Sequence, residues 1–331
     1  MIRVMTAVSA ALIWAALAVP ASAADKVVLM LNWYVYGEHA PFYYGKAKGI
    51  YAAEGIDLEI QEGRGSAATT QAVAAKTANF GYVDVPTMMR AAVKGAPITA
   101  TGVLLQTSPM SAMGFVEKNI KKPEDIKGKT VAITPADSMT QIWPLFLKKT
   151  GLKESDFQTV AGDGQTKLNA VINGQADLLL GYVMDQSMKI KDATGKDVNA
   201  IKFADFGINM ICSGIIANTD YVKNNADLVR RFMSATTKAV EAAEKEPRAA
   251  AQSILDANPK GGKIDTLTQG FELTIPLYRT AETKGKRPFQ VTDQNMTDSV
   301  NLMVEYGGLE AKAKDNPKAF YTNDYLPQGG S

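Results

Sequence analysis

Lys76-Thr77-Ala78-Asn79-Phe80-Gly81-Tyr82-Val83-Asp84 returns in altered form downstream as Gly174-Gln175-Ala176-Asp177-Leu178-Leu179-Leu180-Gly181-Tyr182-Val183-Met184-Asp185. Both copies read as a helix end, a tight turn, a short apolar strand, Gly-Tyr-Val, and an aspartate placed to cap the next helix. Around the first copy, apolar runs at 27–31, 58–60, 80–83 and 98–105 read as strands, with helical patterns at 40–48, 67–75 and 87–94 between them. Around the second, strand patterns at 130–133, 157–160 and 178–180 alternate with helical ones at 142–149 and 167–173. Such alternation predicts an α/β protein of mainly parallel sheets flanked by helices. Beyond an apolar stretch at 211–217 the pattern is helical, at 228–245, 247–257, 267–279 and 292–306. Two α/β units followed by a helical tail predict two lobes, with the tail packed back on the first.

The chain has 331 residues, which fits two domains at roughly 150 residues each. Hydrophobic residues make up 46% and charged residues 21%, a globular composition. Lys and Arg number 36 against 34 Asp and Glu, a net charge of +2 that gives no basic surface for nucleic acid. The single cysteine, Cys212, rules out an intramolecular disulfide and a cysteine-based zinc site; the single histidine, His39, rules out a two-histidine metal site. At the start, Met1-Ile2-Arg3, the apolar run 4–19, Pro20 and Ala21-Ser22-Ala23 read as a secretory signal over 1–23, cleaved after Ala23. The apolar run is short of the roughly 20 residues that span a bilayer. An exported, periplasmic protein is expected.

In open α/β sheets ligands sit at the carboxyl ends of strands. Leu31-Asn32-Trp33-Tyr34 ends the first strand and His39 opens the first helix. Trp33, Tyr34 and Tyr36 lie in a loop that does not demand burial. Aromatics there suit stacking on a flat ligand, worth about 0.5–1.5 kcal/mol beyond area burial; they can equally plug the lobe's edge, Tyr36 above all. His39 reads either as a hydrogen-bonding group or as a packed structural histidine. Gly63-Arg64-Gly65-Ser66 and Thr134-Pro135-Ala136-Asp137-Ser138 precede helices, and their hydroxyls and amides suit ligand acceptors or plain capping. Tyr82/Asp84 and Tyr182/Asp185 face each other across a cleft if each lobe contributes one strand end. The two aspartates then accept ligand donors, form a catalytic carboxylate pair, or only cap helices. The candidate ligand contacts are thus Asn32, Trp33, Tyr34, His39, Gly65, Ser66, Asp84, Ser138, Tyr182 and Asp185, with no catalytic and no metal-ligating residue among them.

Met30-Leu31-Asn32-Trp33, His39, Gly49-Ile50-Tyr51, Glu54-Gly55-Ile56-Asp57-Leu58, the 63–66 turn, Lys94-Gly95, Asn173-Gly174 and Asn225 through Phe232 occur in an order that resembles a known family. That family is the periplasmic substrate-binding proteins of ATP-driven importers in the thiamin-pyrimidine, nitrate, sulfonate and taurine group. The Leu-Asn-Trp opening with His39 looks most like its formylaminopyrimidine- and riboflavin-binding members. The resemblance implies the two-lobed periplasmic-binding-protein fold (type II), with lobe one over 24–112 and 214–331 and lobe two over 113–213, joined by hinge strands. It implies a monomer that takes a small-molecule ligand, uses no cofactor, and delivers to the permease of an ABC transporter. The ligand it points to is a planar heterocycle such as a thiamin pyrimidine precursor; a sulfonate, nitrate or other small anion is the alternative. The same group includes an enzyme that makes the thiamin pyrimidine with a Schiff-base lysine, a histidine and a cysteine-rich run. Here Val83, Thr87 and the lone Cys212 stand at the matching positions, so the chain is expected not to be an enzyme.

Overall fold

The computed structural model describes residues 23–329. The leader expected over 1–23 therefore lies, but for Ala23, outside the described residues. Ten strands are present: β1 Asp25–Met30, β2 Ile56–Gln61, β3 Phe80–Asp84, β4 Ile98–Val103, β5 Met110–Phe115, β6 Thr130–Ile133, β7 Gln158–Ala161, β8 Leu178–Tyr182, β9 Val198–Lys202 and β10 Ser213–Asn218. Among the described residues twelve α-helices accompany them: α1 Ala40–Ala47, α2 Ile50–Ala53, α3 Ser66–Ala74, α4 Val85–Val93, α5 Ser138–Thr150, α6 Gly164–Ile172, α7 Gln186–Thr194, α8 Thr219–Asn224, α9 Ala226–Lys245, α10 Pro247–Ala257, α11 Ile264–Thr274 and α12 Asp293–Glu305.

The strands form two five-stranded sheets of the same design, in the orders β2-β1-β3-β10-β4 and β7-β6-β8-β5-β9. Within each, the first three strands are parallel and one strand runs antiparallel between its neighbours: β10 in the first sheet, β5 in the second. The sheets are thus mixed rather than uniformly parallel, because each takes in a strand that has just crossed from the other. Sequence reading missed β5 and β9. β5 (Met-Ser-Ala-Met-Gly-Phe) has no β-branched residue, and in β9 (Val-Asn-Ala-Ile-Lys) Val198 and Ile201 stand three apart and so break the strand alternation. The expected border at 112/113 falls inside β5, whose pairing is entirely with β8 and β9. The connectors between sheets, 104–109 and 207–212, run side by side: Cys212 N donates to Leu105 O at 2.8 Å, and Ser108 N to Asn209 Oδ1 at 3.2 Å.

The helical tail packs on the first sheet. α9 lays an apolar stripe on it, and Phe232 stacks on Phe80 of β3 at 3.9 Å between centroids and 9° between planes. Tyr51 and Thr236 hydrogen-bond beneath the same contact. In the second half Trp143, Phe146 and Phe203 stack around α5. Among the described residues no helix is long and apolar enough to cross a membrane. Because Phe232 is fully buried, Phe232→Ala is expected to lower the unfolding free energy by about 3–5 kcal/mol. Urea denaturation measures it; a loss below about 1 kcal/mol would mean that α9 is not seated on the first sheet.

Candidate functional site

The carboxyl ends of β1, β3 and β8 converge where the two connectors meet. Asp84 at the end of β3 lies opposite Ser213 at the start of β10, and Tyr182 at the end of β8 lies opposite Met110 at the start of β5. Between them is a cavity of about 380 Å³, the space at its mouth included. Asn32, Trp33, Gly65 and Ser66 line it from the first half; Ser138, Tyr182 and Asp185 line it from the second. Trp33 and Tyr182, far apart in sequence, therefore share one cavity.

Tyr34, His39 and Asp84 sit behind that lining. His39 is fully buried. Tyr36 N donates to its Nδ1 at 3.4 Å, so its Nε2–H faces Asn32 Oδ1 at 2.8 Å. Burial, then the nearby Lys189 charge, push its pKa down to about 3, and the ring is neutral. The histidine thereby fixes the Asn32 amide at the cavity wall. Asp84 caps α4, with Oδ1 accepting from Thr87 N at 2.9 Å and Thr87 Oγ1 at 2.7 Å, while Oδ2 takes the Cys212 thiol at 3.5 Å. Burial raises its pKa. The expected cleft acceptor is thus a buried cap. Tyr34 donates to Asp185 Oδ2 across the two halves at 2.9 Å.

Asp185, the second copy of the repeat, differs from Asp84. Its backbone (φ −112°, ψ −72°) turns the carboxylate off α7, which has no side-chain cap. Besides Tyr34, Oδ2 takes Gln186 Nε2, and Lys189 Nζ lies 3.3 Å from Oδ1. That approach makes an ion pair but is too misaligned for a hydrogen bond, and Oδ1 stays without a donor. Neither expected serine caps its helix. Gly65, held at φ +116° where a side chain would be strained, is the N-cap of α3, and Ser66 Oγ accepts from Asp84 N at 3.0 Å. Asp137 caps α5, and Ser138 Oγ meets Tyr182 OH at 3.4 Å. Arg64 is exposed, outside the lining.

Sequence reading missed Asp137, Lys167 and Gln186, all in the lining. Asp137 had a signal, since Asp-Ser-Met-Thr offers an aspartate cap as readily as a serine one. Lys167 had none: a lysine in an amphipathic helix normally faces water. Here its side chain is 2% exposed, with Nζ 3.2 Å from Asp137 Oδ2. Behind the lining, Glu38 accepts from Tyr36 and, at 2.5 Å, from Tyr82. Burial raises its pKa to about 7 against these hydrogen bonds. Cys212 lies 3.1 Å from Tyr182 OH, and burial pushes its thiol up, so it stays protonated. Among the described residues no three His, Cys, Asp or Glu gather in a way that can hold a metal ion.

The chain is 24% identical over 311 residues to the riboflavin-binding protein RibY of Chloroflexus aurantiacus, covering 92% of this chain and 87% of that protein. It is 24% identical over 308 residues to the 4-amino-5-hydroxymethyl-2-methylpyrimidine phosphate synthase of Legionella pneumophila, covering 92% and 93%. In structure it matches the alkanesulfonate-binding protein SsuA of Xanthomonas axonopodis pv. citri with a TM-score of 0.67 at 13% identity, over 88% of this chain and 96% of that one. The fold is the two-lobed periplasmic-binding-protein fold. One expectation is corrected. Sequence reading set enzymes aside for want of the lysine, histidine and cysteine run, but the Legionella relative and others are named as synthases. One scaffold hosts binding and catalysis, so those absences do not exclude an enzyme. The NMT1/THI5-like family model matches residues 37–250, every strand but β1, and the chain belongs to that family.

Proposed function

We propose that the chain captures a small planar heterocycle, of the size of a thiamin pyrimidine precursor, outside the cytoplasmic membrane and passes it to the permease of an ABC importer. One observation carries this reading: Trp33 from one half and Tyr182 from the other line a single cavity beside an Asp185 oxygen that lacks a donor. Aromatic rings suit a flat guest, and a carboxylate suits the amino and ring N–H donors of a heterocycle. Asn32 adds an amide fixed by His39. Lobe one comprises the first sheet with the helical tail and lobe two the second sheet, and the connectors 104–109 and 207–212 are the hinge. Closing of the lobes excludes water, which strengthens each polar contact with the guest.

A thermal-shift panel of aminopyrimidines, flavins, alkanesulfonates and nitrate tests this. A ligand at 100 times its dissociation constant adds about 2.7 kcal/mol of stability, and the aminopyrimidines are expected to raise the melting temperature most. A shift with sulfonates or nitrate alone would replace this reading by small-anion capture. Trp33→Ala is expected to weaken the best pyrimidine about tenfold or more, read by calorimetric titration.

The polar layer behind Asn32 gives a pH signature. Glu38 has its folded pKa raised from 4.5 to about 7, so between those values the folded protein holds the extra proton. Stability from this group is therefore full below pH 4.5 and is lost as pH rises to 7, by about 3 kcal/mol. His39, lowered to about 3, acts in the opposite sense below pH 6.5. The difference between wild type and Glu38→Gln isolates the carboxyl. It is expected to move against wild type by about 3 kcal/mol between pH 4.5 and 7 in urea titrations; a difference independent of pH would refute the assignment.

A further inference from the structure

Lys167 is the cation the cleft buries most completely. It lies one turn into α6, where Gly164 opens the helix. A Cβ at Gly164 would stand 2.6 Å from Trp33 Cζ2, so only glycine lets the first turn of α6 close on that ring. The approach brings Lys167 Nζ to 5.8 Å from the Trp33 centroid and into the cavity lining. An ammonium carries three N–H donors. Among the described residues it meets one hydrogen-bond acceptor, Asp137 Oδ2, at 3.2 Å. The other Asp137 oxygen is taken by Thr140 N and Thr140 Oγ1, both at 2.7 Å, as the cap of α5. Ser138 and Met139 bring the amide end of α5, with its positive partial charge, to the same wall. This part of the cleft holds more donors than the protein has acceptors for, in a place where unmatched donors are unfavourable.

We propose that Lys167 is a specificity-determining residue that selects a heterocycle bearing an anionic oxygen group. This rests on the heterocycle reading above and narrows its ligand class: the ring lies with Trp33 and Tyr182, its N–H donors meet Asp185, and its acidic oxygens meet the Lys167 ammonium and the donors around it. Asp137 is the internal competitor, an acceptor that holds the lysine until the guest's acid takes up its remaining N–H groups.

The test compares two probes of equal ring and similar size by calorimetric titration of the full chain: 4-amino-5-hydroxymethyl-2-methylpyrimidine and its 5-carboxylate analogue. Wild type is expected to bind the carboxylate about tenfold tighter. Lys167→Met removes that preference, read as the ratio of the two affinities on the same variant. Asp137→Asn keeps an N-cap residue on α5 and removes the competing charge, so it tightens the carboxylate and raises that ratio above wild type. The two variants move the carboxylate in opposite directions, which damage to the fold does not do. Alcohol binding without a charge preference in wild type, or a preference that survives Lys167→Met, overturns the role of Lys167 and leaves the heterocycle reading standing. Failure of both pyrimidines to bind wild type overturns the heterocycle reading and this inference with it.

Discussion

Tyr34 donates a hydrogen bond from its hydroxyl to Asp185 across the space between the two sheets, at 2.9 Å, and the form of the cleft depends on that bond. The carboxylate that makes it is turned away from its own helix. Gln186 then follows: its Nε2 joins the same carboxylate, and its Oε1 accepts from Tyr182 N at 2.7 Å. Tyr182 is held at the end of β8 by this chain of contacts, which begins in the other half of the molecule. In a site with little water such bonds are stronger than at a surface and support one another. Of these bonds, those made to the Tyr34 hydroxyl join the two halves, while the Gln186 bonds to Asp185 and Tyr182 lie within the second half.

The repeated Gly-Tyr-Val…Asp signal explains both what was legible and what was not. Alternation of strand and helix patterns was enough for the two α/β units, because burying one face of a sheet imposes a period on the sequence. The second copy of the repeat brought Tyr182 and Asp185 to the cavity and the strand-end rule brought Trp33, whereas Tyr82 and Asp84 of the first copy lie behind the lining. The repeat was not enough to separate Asp84 from Asp185. The two are alike in sequence, yet one caps α4 and the other bonds Tyr34; the difference is set by partners distant in the chain. Lys167 lay beyond reach for the same reason. Its burial comes from α6 closing on Trp33 at Gly164, a contact between halves that no local pattern encodes.

The layer behind the lining bears on whether the scaffold binds or transforms its guest. Glu38, Asp84 and Cys212 are buried, with pKa values raised by burial. Their bonds run to Tyr36, Tyr82, Thr87 and Tyr182 and hold the lining in place. A protonated buried thiol is a poor nucleophile, and the Asp84 oxygens are occupied. These groups therefore act as a rigid backing. Relatives named as synthases show that the family frame also carries chemistry, so the distinction between binder and enzyme lies in the few side chains that reach the cavity rather than in the frame.

Two lysines are used in parallel, of which Lys167 alone is in the cavity lining. Lys167 Nζ stands over the Trp33 ring at 5.8 Å and Lys189 Nζ over the Tyr34 ring at 3.5 Å, and each is paired with a carboxylate of the second half, Asp137 and Asp185. Cation–π contacts range from about 0.5–1 kcal/mol when exposed to about 2 kcal/mol when desolvated; Lys189 is the nearer to its ring and Lys167 the more fully buried. The aromatic pair after β1 therefore joins the two halves in two ways: Tyr34, behind the lining, bonds Asp185 and carries Lys189 on its ring, while Trp33, in the lining, meets Lys167.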